Sequence, residues 1–219
     1  MPTITVAGEA SLEHAAETGT VRLRVSLEGP DREDILQKSV VLHGSVRDGI
    51  AGHHADGNVT VWTADQVRVS SYKVKPNDDG EEAWIRHRAD ASLTACFTDF
   101  PAMEAWLTRI AGRPGLSVDG ITWELTETTR GLLDRQVRKA AVMDAVRRAD
   151  DYTAHLAADE CPRLTAIYEK GLRPATAATP FDGGPARTGA VAGASPGLVF
   201  ELKPRDIRVT ASVTADFSF

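Results

Sequence analysis

The sequence is poor in cysteine, with only Cys96 and Cys161 among 219 residues. These two form neither a C-x-x-C pair nor the dense disulfide framework of a small secreted domain. The sequence also lacks a long apolar run, since no window approaches the roughly 18 consecutive apolar residues of a membrane span. The strand pattern at Thr3–Val6 begins without a basic and apolar leader ahead of it. These absences predict a cytoplasmic protein without a membrane-inserted segment.

An excess of positive charge is missing as well. The formal net charge is -6 at pH 7, whereas nucleic-acid binders present a concentrated positive field. The sequence contains neither a G-x-x-x-x-G-K-[ST] loop nor a strand-linked G-x-G-x-x-G loop for phosphate binding. We therefore expect no nucleic-acid partner and no cofactor.

Regular alternation is what the sequence does contain, and it is clearest at the carboxyl end. Polar residues alternate there with an apolar set, as in a half-buried strand of an antiparallel sheet. The apolar set consists of Ile207, Val209, Ala211, Val213, Ala215, Phe217 and Phe219. This pattern predicts a terminal strand with Val213 and Phe217 in the core.

The rest of the chain divides into further strand patterns and three helical patterns. Strands are predicted over residues 3–6, 21–27, 67–74, 85–97, 121–125 and 164–169, whereas 59–62 is of uncertain type. Helices are predicted from Asp31 to about Gly49, from Asp99 to near Gly112, and from Thr129 to Asp159. Short connections between strands indicate an α+β fold with antiparallel sheets and three helices. We expect a single domain over residues 1–219, which could also form two lobes, with a flexible Gly/Pro/Ala-rich loop over 173–197.

Several segments resemble the SIMPL family (domain of unknown function 541) in the same order and spacing. The opening Ile4-Thr5-Val6-Ala7-Gly8-Glu9-Ala10 is similar to that family's first strand. Ser70–Val74 resembles an exposed-strand block, and Ala140–Ala145 resembles the family's long helix. The resemblance spans almost the whole chain, including the Pro/Gly/Ala-rich insertion before the last strand.

This resemblance implies an α+β fold with antiparallel sheets. It also implies self-association, because the family includes a periplasmic immunogenic protein of Brucella that forms a large ring-like oligomer. No catalytic residues are established for the family, so the resemblance assigns none to this chain.

One stretch matches an enzyme motif by its letters alone. Gly193-Ala194-Ser195-Pro196-Gly197 has the form G-x-S-x-G of a hydrolase nucleophile elbow. The oxyanion hole of such a site needs the backbone N–H of the residue after the nucleophile, and Pro196 has none. The required downstream histidine is also missing, because the last histidine is His155. We therefore predict no catalytic residues.

His53 and His54, with Asp56 nearby, are the candidate metal ligands. A zinc site needs three or four convergent ligands, whereas adjacent histidines in one turn rarely point to one ion. We therefore interpret this segment as a solvated turn. The carboxylate run Asp78, Asp79, Glu81 and Glu82 is interpreted in the same way, because its spacing matches no calcium loop.

Two long strands carry mixtures of aromatic and charged residues on their outer faces. These residues are Trp84, Arg86, Arg88, Arg208 and Asp216. Aromatic and arginine side chains are enriched at protein interfaces, so the pattern predicts a homo-oligomer that acts through protein–protein contacts. The alternative is a small-ligand or metal-binding module, or an undetected enzyme, with a pocket between sheet and helices.

Overall fold

The computed structural model describes residues 2–74, 84–155, 161–169, 172 and 202–219. Its elements are β1 (Thr3–His14), β2 (Thr18–Gly29), α1 (Arg32–Ala55), β3 (Val59–Ala64), β4 (Arg68–Val74), β5 (Trp84–Phe97), α2 (Phe100–Ile110), β6 (Leu116–Glu124), α3 (Glu127–His155), β7 (Arg163–Glu169) and β8 (Ile207–Ser218). All strand pairs are antiparallel, so the predicted α+β class with three helices is confirmed.

Three predicted features lie outside the described residues. They are the flexible loop 173–197 with its G-x-S-x-G stretch, the carboxylate run at 78–82, and the end of the third helical pattern beyond His155. The described residues group into two compact units. We call them the terminal unit, which contains β1, α3, β7 and β8, and the central unit, which contains the other elements.

In the terminal unit, α3 packs on one face of a three-stranded sheet with the order β1-β8-β7. The sheet contributes Val213, Ala215 and Phe217 to the core. Small residues at every fourth position of α3, including Ala141 and Ala145, face them. Phe217 is only 1% exposed, which confirms the prediction that the terminal strand belongs to the core.

The central unit places α1 and α2 on one face of a five-stranded sheet. Its strands lie in the order β3-β5-β2-β6, and β4 pairs with the same edge of β5 as β3. Each of the units β2-α1-β3 and β5-α2-β6 therefore passes over one antiparallel strand, as in the ferredoxin-like βαββαβ motif. The predicted helix starts are confirmed, because Asp31 accepts a hydrogen bond from the Glu33 amide at 2.8 Å and Asp99 from the Ala102 amide at 2.8 Å.

Three strand predictions and one helix prediction need correction in their extent. β6 begins at Leu116 rather than at residue 121, and α1 continues to Ala55 rather than ending near Gly49. The stretch of uncertain type at 59–62 is part of β3, an edge strand in which Val59 is buried but Val61 is 65% exposed. The first strand continues to His14 because β1 pairs with β8 along its whole length. Neither β3 nor the later part of β1 has a clear alternation of apolar residues, because both are edge strands and bury fewer of their side chains.

Candidate contact surface

The strands β4 and β5 continue beyond the rest of the central sheet as a two-stranded ribbon. The last residue of β2 that pairs with β5 is Gly29, opposite His87. Past this point, and within the described ranges, β5 pairs only with β4, through Arg86 with Tyr72, Ile85 with Lys73 and Trp84 with Val74. The ribbon is therefore residues 72–74 and 84–86, and it lacks the cover that the helices give to the sheet core.

One face of this ribbon joins aromatic and charged side chains. Residues opposite each other in an antiparallel pair lie on the same face, and alternate residues of a strand share a face. Ser70 and Val74 meet this condition on the face away from the core, as do five aromatic or charged residues. We call these five the ribbon surface: Glu28, Tyr72, Trp84, Arg86 and Arg88. Trp84 is 46% exposed and Tyr72 is 39% exposed, so both rings present apolar area to solvent.

Glu28 connects three strands at the base of the ribbon. Its carboxylate accepts a hydrogen bond from the Tyr72 hydroxyl at 2.8 Å and forms an ion pair with Arg88. The hydrogen bond from Tyr72 is the largest cause that lowers the pKa of Glu28, and Arg88 and Arg86 lower it further. The same bond raises the pKa of Tyr72, because the hydroxyl hydrogen is held by the carboxylate. Glu28 and Tyr72 thus hold each other in place at neutral pH.

Arg86 differs from Arg88 in its surroundings. Arg88 is held by Glu28, whereas the Arg86 guanidinium group makes no hydrogen bond or ion pair with any residue that the structure describes. Its guanidinium group is therefore available for a carboxylate or aromatic ring of another molecule, beside the exposed ring of Trp84.

The other two residues of the predicted contact faces belong to the terminal unit. Arg208 donates a hydrogen bond to the Ser11 hydroxyl at 3.0 Å, and Asp216 accepts one from the Thr5 hydroxyl at 2.6 Å. Both lie on the sheet face away from α3, as the alternation predicted, but each is engaged with its neighbour on β1.

The solvated turn predicted around His53 and His54 is instead the last turn of α1, where the two candidate metal ligands are engaged separately. The His54 Nδ1 atom lies 2.7 Å from the Val59 carbonyl oxygen, so this nitrogen carries the donated hydrogen. The His53 ring packs edge-on against Phe97 and Trp106, at centroid distances of 5.5 and 5.8 Å. Within the described residues, no group of three or more His, Cys, Asp or Glu side chains is arranged to hold a metal ion. Metal binding at this turn stays an untested alternative.

Glu28 and Tyr72 are the residues of this surface that sequence reasoning missed. Alternation indicates that each faces outward on its strand, but only the pairing of β2, β4 and β5 brings them together. Trp84 is 46% exposed, as its predicted place on the outer face of its strand requires.

The geometry defines an α+β protein with an exposed ribbon at the end of its central sheet. A family model for SIMPL, described as a protein of unknown function (DUF541), matches residues 4–217. The chain therefore belongs to the SIMPL family. No curated protein matches the sequence. No helix in the described ranges is long and apolar enough to cross a membrane.

Proposed function

We propose that this SIMPL protein acts through protein–protein contacts and assembles with copies of itself through the ribbon surface. The observation that carries the proposal is the extension of β4 and β5 beyond Gly29, which exposes Trp84 and Tyr72 on one face. Tryptophan, tyrosine and arginine are the residues that most often dominate the binding energy of interfaces. A face that combines them at the end of a sheet is suited to contact a folded partner.

The electrostatics of the ribbon surface support the same proposal. Glu28, Tyr72 and Arg88 hold one another before any partner arrives, so binding costs little additional ordering of these side chains. The side chains of Arg86 and Trp84 form no hydrogen bond or ion pair with the described residues that binding would have to break. Both side chains would contribute new contacts to a partner, next to the cluster of Glu28, Tyr72 and Arg88 that is already ordered.

The ribbon also has an unpaired strand edge. Residues 84–86 of β5 lie beyond the last pair with β2, so their backbone groups on that side have no ladder partner among the described residues. Exposed edges of this kind favour pairing with another chain unless they are covered. The edge and the ribbon surface together support a second copy of this chain as the partner.

The test is a double variant, Trp84→Ser with Arg86→Ala, in the full chain. We expect it to shift the protein toward monomer in light scattering at micromolar concentration, because it removes the exposed ring and the unpaired guanidinium. The control is Arg22→Ala, which removes an arginine of the same sheet face that bonds locally to Thr122. An unchanged mass distribution in the double variant would refute the ribbon surface as the interface.

The proposed place of action is the cytoplasm. Both Cys96 and Cys161 are free thiols in the structure, which agrees with a reducing compartment. Fractionation of cells that express the full chain would test this proposal.

A further inference from the structure

The terminal unit contains a cavity of about 630 Å³ that is lined by residues of β1, α3, β7 and β8. The strand β7 pairs with β8 only as far as Glu169 opposite Val213, whereas β1 pairs with β8 along its whole length. Glu169, the last residue of β7, belongs to the lining, together with Arg138, Arg208, Thr210 and Ser212. Residues 9–11 of β1, on the other side of β8, also line the cavity.

The ladder between β1 and β8 shows which backbone groups face this cavity. The amide of Glu9 donates to the Asp144 carboxylate at 3.0 Å and therefore points away from β8. Glu9 is opposite Ser212, so this is a non-hydrogen-bonded pair, and such pairs alternate with bonded ones in an antiparallel ladder. The N–H and C=O groups of Arg208, Thr210 and Ser212 consequently point to the β7 side. Those of Val209, Ala211 and Val213 bond to β1.

Among the residues that the structure describes, the three cavity-facing residues have no ladder partner on that side. β7 stops before it reaches them, and none of them makes another backbone hydrogen bond with the described part of the chain. Strand geometry places alternate residues about 6.5–7 Å apart, twice the rise per residue. This edge of β8 thus presents hydrogen-bond donors and acceptors at the spacing with which an extended backbone can pair.

The side chains around this edge differ on its two faces. Toward α3 lie Ala211, Val213 and the aliphatic stem of Arg138, whose Nε atom is 3.9 Å from a Glu169 oxygen. On the opposite face lie Thr210 and Ser212, with Arg208 bonded to Ser11. An entering strand would meet small apolar residues on one side and hydroxyl groups on the other, with charges of both signs at the rim.

We propose that the free edge of β8 is a peptide-binding site, where an extended segment of another polypeptide adds as an antiparallel strand. The segment would alternate apolar side chains toward α3 with polar ones on the other face, as β7 does in its own pairing with β8. This site lies in the terminal unit and does not depend on the ribbon surface or on self-association.

Amide hydrogen exchange in the full-length protein tests the edge directly. In the free protein, the amides of Arg208, Thr210 and Ser212 should exchange at least tenfold faster than those of Val209, Ala211 and Val213. Equal protection of the two sets would overturn the proposal, because it would mean that the edge is already paired.

The binding probe is a capped peptide with the sequence of residues 163–169, which β8 already pairs with over its other half. At about 1 mM it should slow exchange of the three edge amides at least tenfold, which corresponds to a Kd of about 0.1 mM or tighter, because the slowing equals 1 + [L]/Kd. The matched control is the same peptide N-methylated at alternate residues, which cannot complete the ladder. No slowing, or equal slowing by the N-methylated peptide, would overturn strand addition.

A pair of proline variants locates the site. Thr210→Pro removes a donor at the free edge but no bond to β1, and it should weaken peptide binding about tenfold, as expected for loss of one good hydrogen bond. Ala7→Pro places the same change on the outer edge of β1 and should leave peptide binding unchanged. Equal affinity of the Thr210→Pro variant and the wild type would contradict the site. If that variant does not fold, exchange with the two peptides decides the question.

Discussion

Gly8 lies against α3 at a point where a side chain has no room. A Cβ atom at this position would clash with the Ala141 carbonyl oxygen and lie 2.7 Å from the Ala145 amide nitrogen. Both neighbours are helix backbone, which cannot move aside without displacing α3 from the sheet. The glycine of the family-like opening motif therefore has a packing role in this chain.

We expect Gly8→Ala to destabilise the protein by about 1–3 kcal/mol or more, the range of overpacked cores. The matched control is Gly131→Ala within α3, where a Cβ meets nothing within 4 Å. That substitution should be neutral or stabilise by about 0.5–1 kcal/mol, because alanine favours helix. Urea denaturation measures both, and equal stability of the two variants would contradict the packing argument.

Phe217 is the largest buried side chain of β8. Phe217→Ala should lower the free energy of unfolding by about 3–5 kcal/mol, because it removes buried apolar area and leaves a cavity. Met143→Ala on the exposed face of α3 is the control and should change stability little. A loss below about 1 kcal/mol for Phe217→Ala would show that β8 is peripheral to the core.

At the scale of elements, Asp144 ties α3 to the outer edge of β1. Its carboxylate accepts a hydrogen bond from the Glu9 amide at 3.0 Å and another from Arg148 at 2.9 Å. The bond from Glu9 is the largest cause that lowers the pKa of Asp144, and the charges of Arg148 and Arg147 add to it. A charged group at this position also occupies one donor of an edge strand that could otherwise pair with another chain.

A lowered folded-state pKa means that ionised Asp144 stabilises the fold above the ordinary aspartate value of 3.8. This contribution is lost as the pH falls through the folded-state pKa, which lies below that value. We therefore expect Asp144→Asn to lower the Tm at neutral pH, and the difference from wild type to shrink in acid. The exposed Asp150→Asn is the control. A difference in Tm that grows on acidification would contradict the assigned role.

Elements with a strong periodic pattern could be predicted from the sequence, and pairings between elements could not. The apolar positions of β8 and the caps Asp31 and Asp99 are local signals, so they indicated their elements correctly. The cluster of Glu28 with Tyr72 depends on the register of three strands, and local alternation does not specify that register. For the same reason, the end of β7 at Glu169 was predicted correctly, but the part of β8 that it pairs with was not.

At the scale of the whole molecule, the exposed surfaces carry more information about function than family membership or composition does. The match over residues 4–217 establishes the family, but the family description assigns no activity. What the structure adds is an exposed aromatic and arginine face at the end of the central sheet, including Trp84 at 46% exposure. The proposed function is therefore contact between chains rather than catalysis of a reaction.

The most direct test of this account is the native mass of the full chain, measured by light scattering over a range of micromolar concentrations. We predict a defined oligomer, with a mass that is a whole multiple of 23.5 kDa. A monodisperse species of 23.5 kDa at every concentration would contradict self-association as the basis of the protein's function.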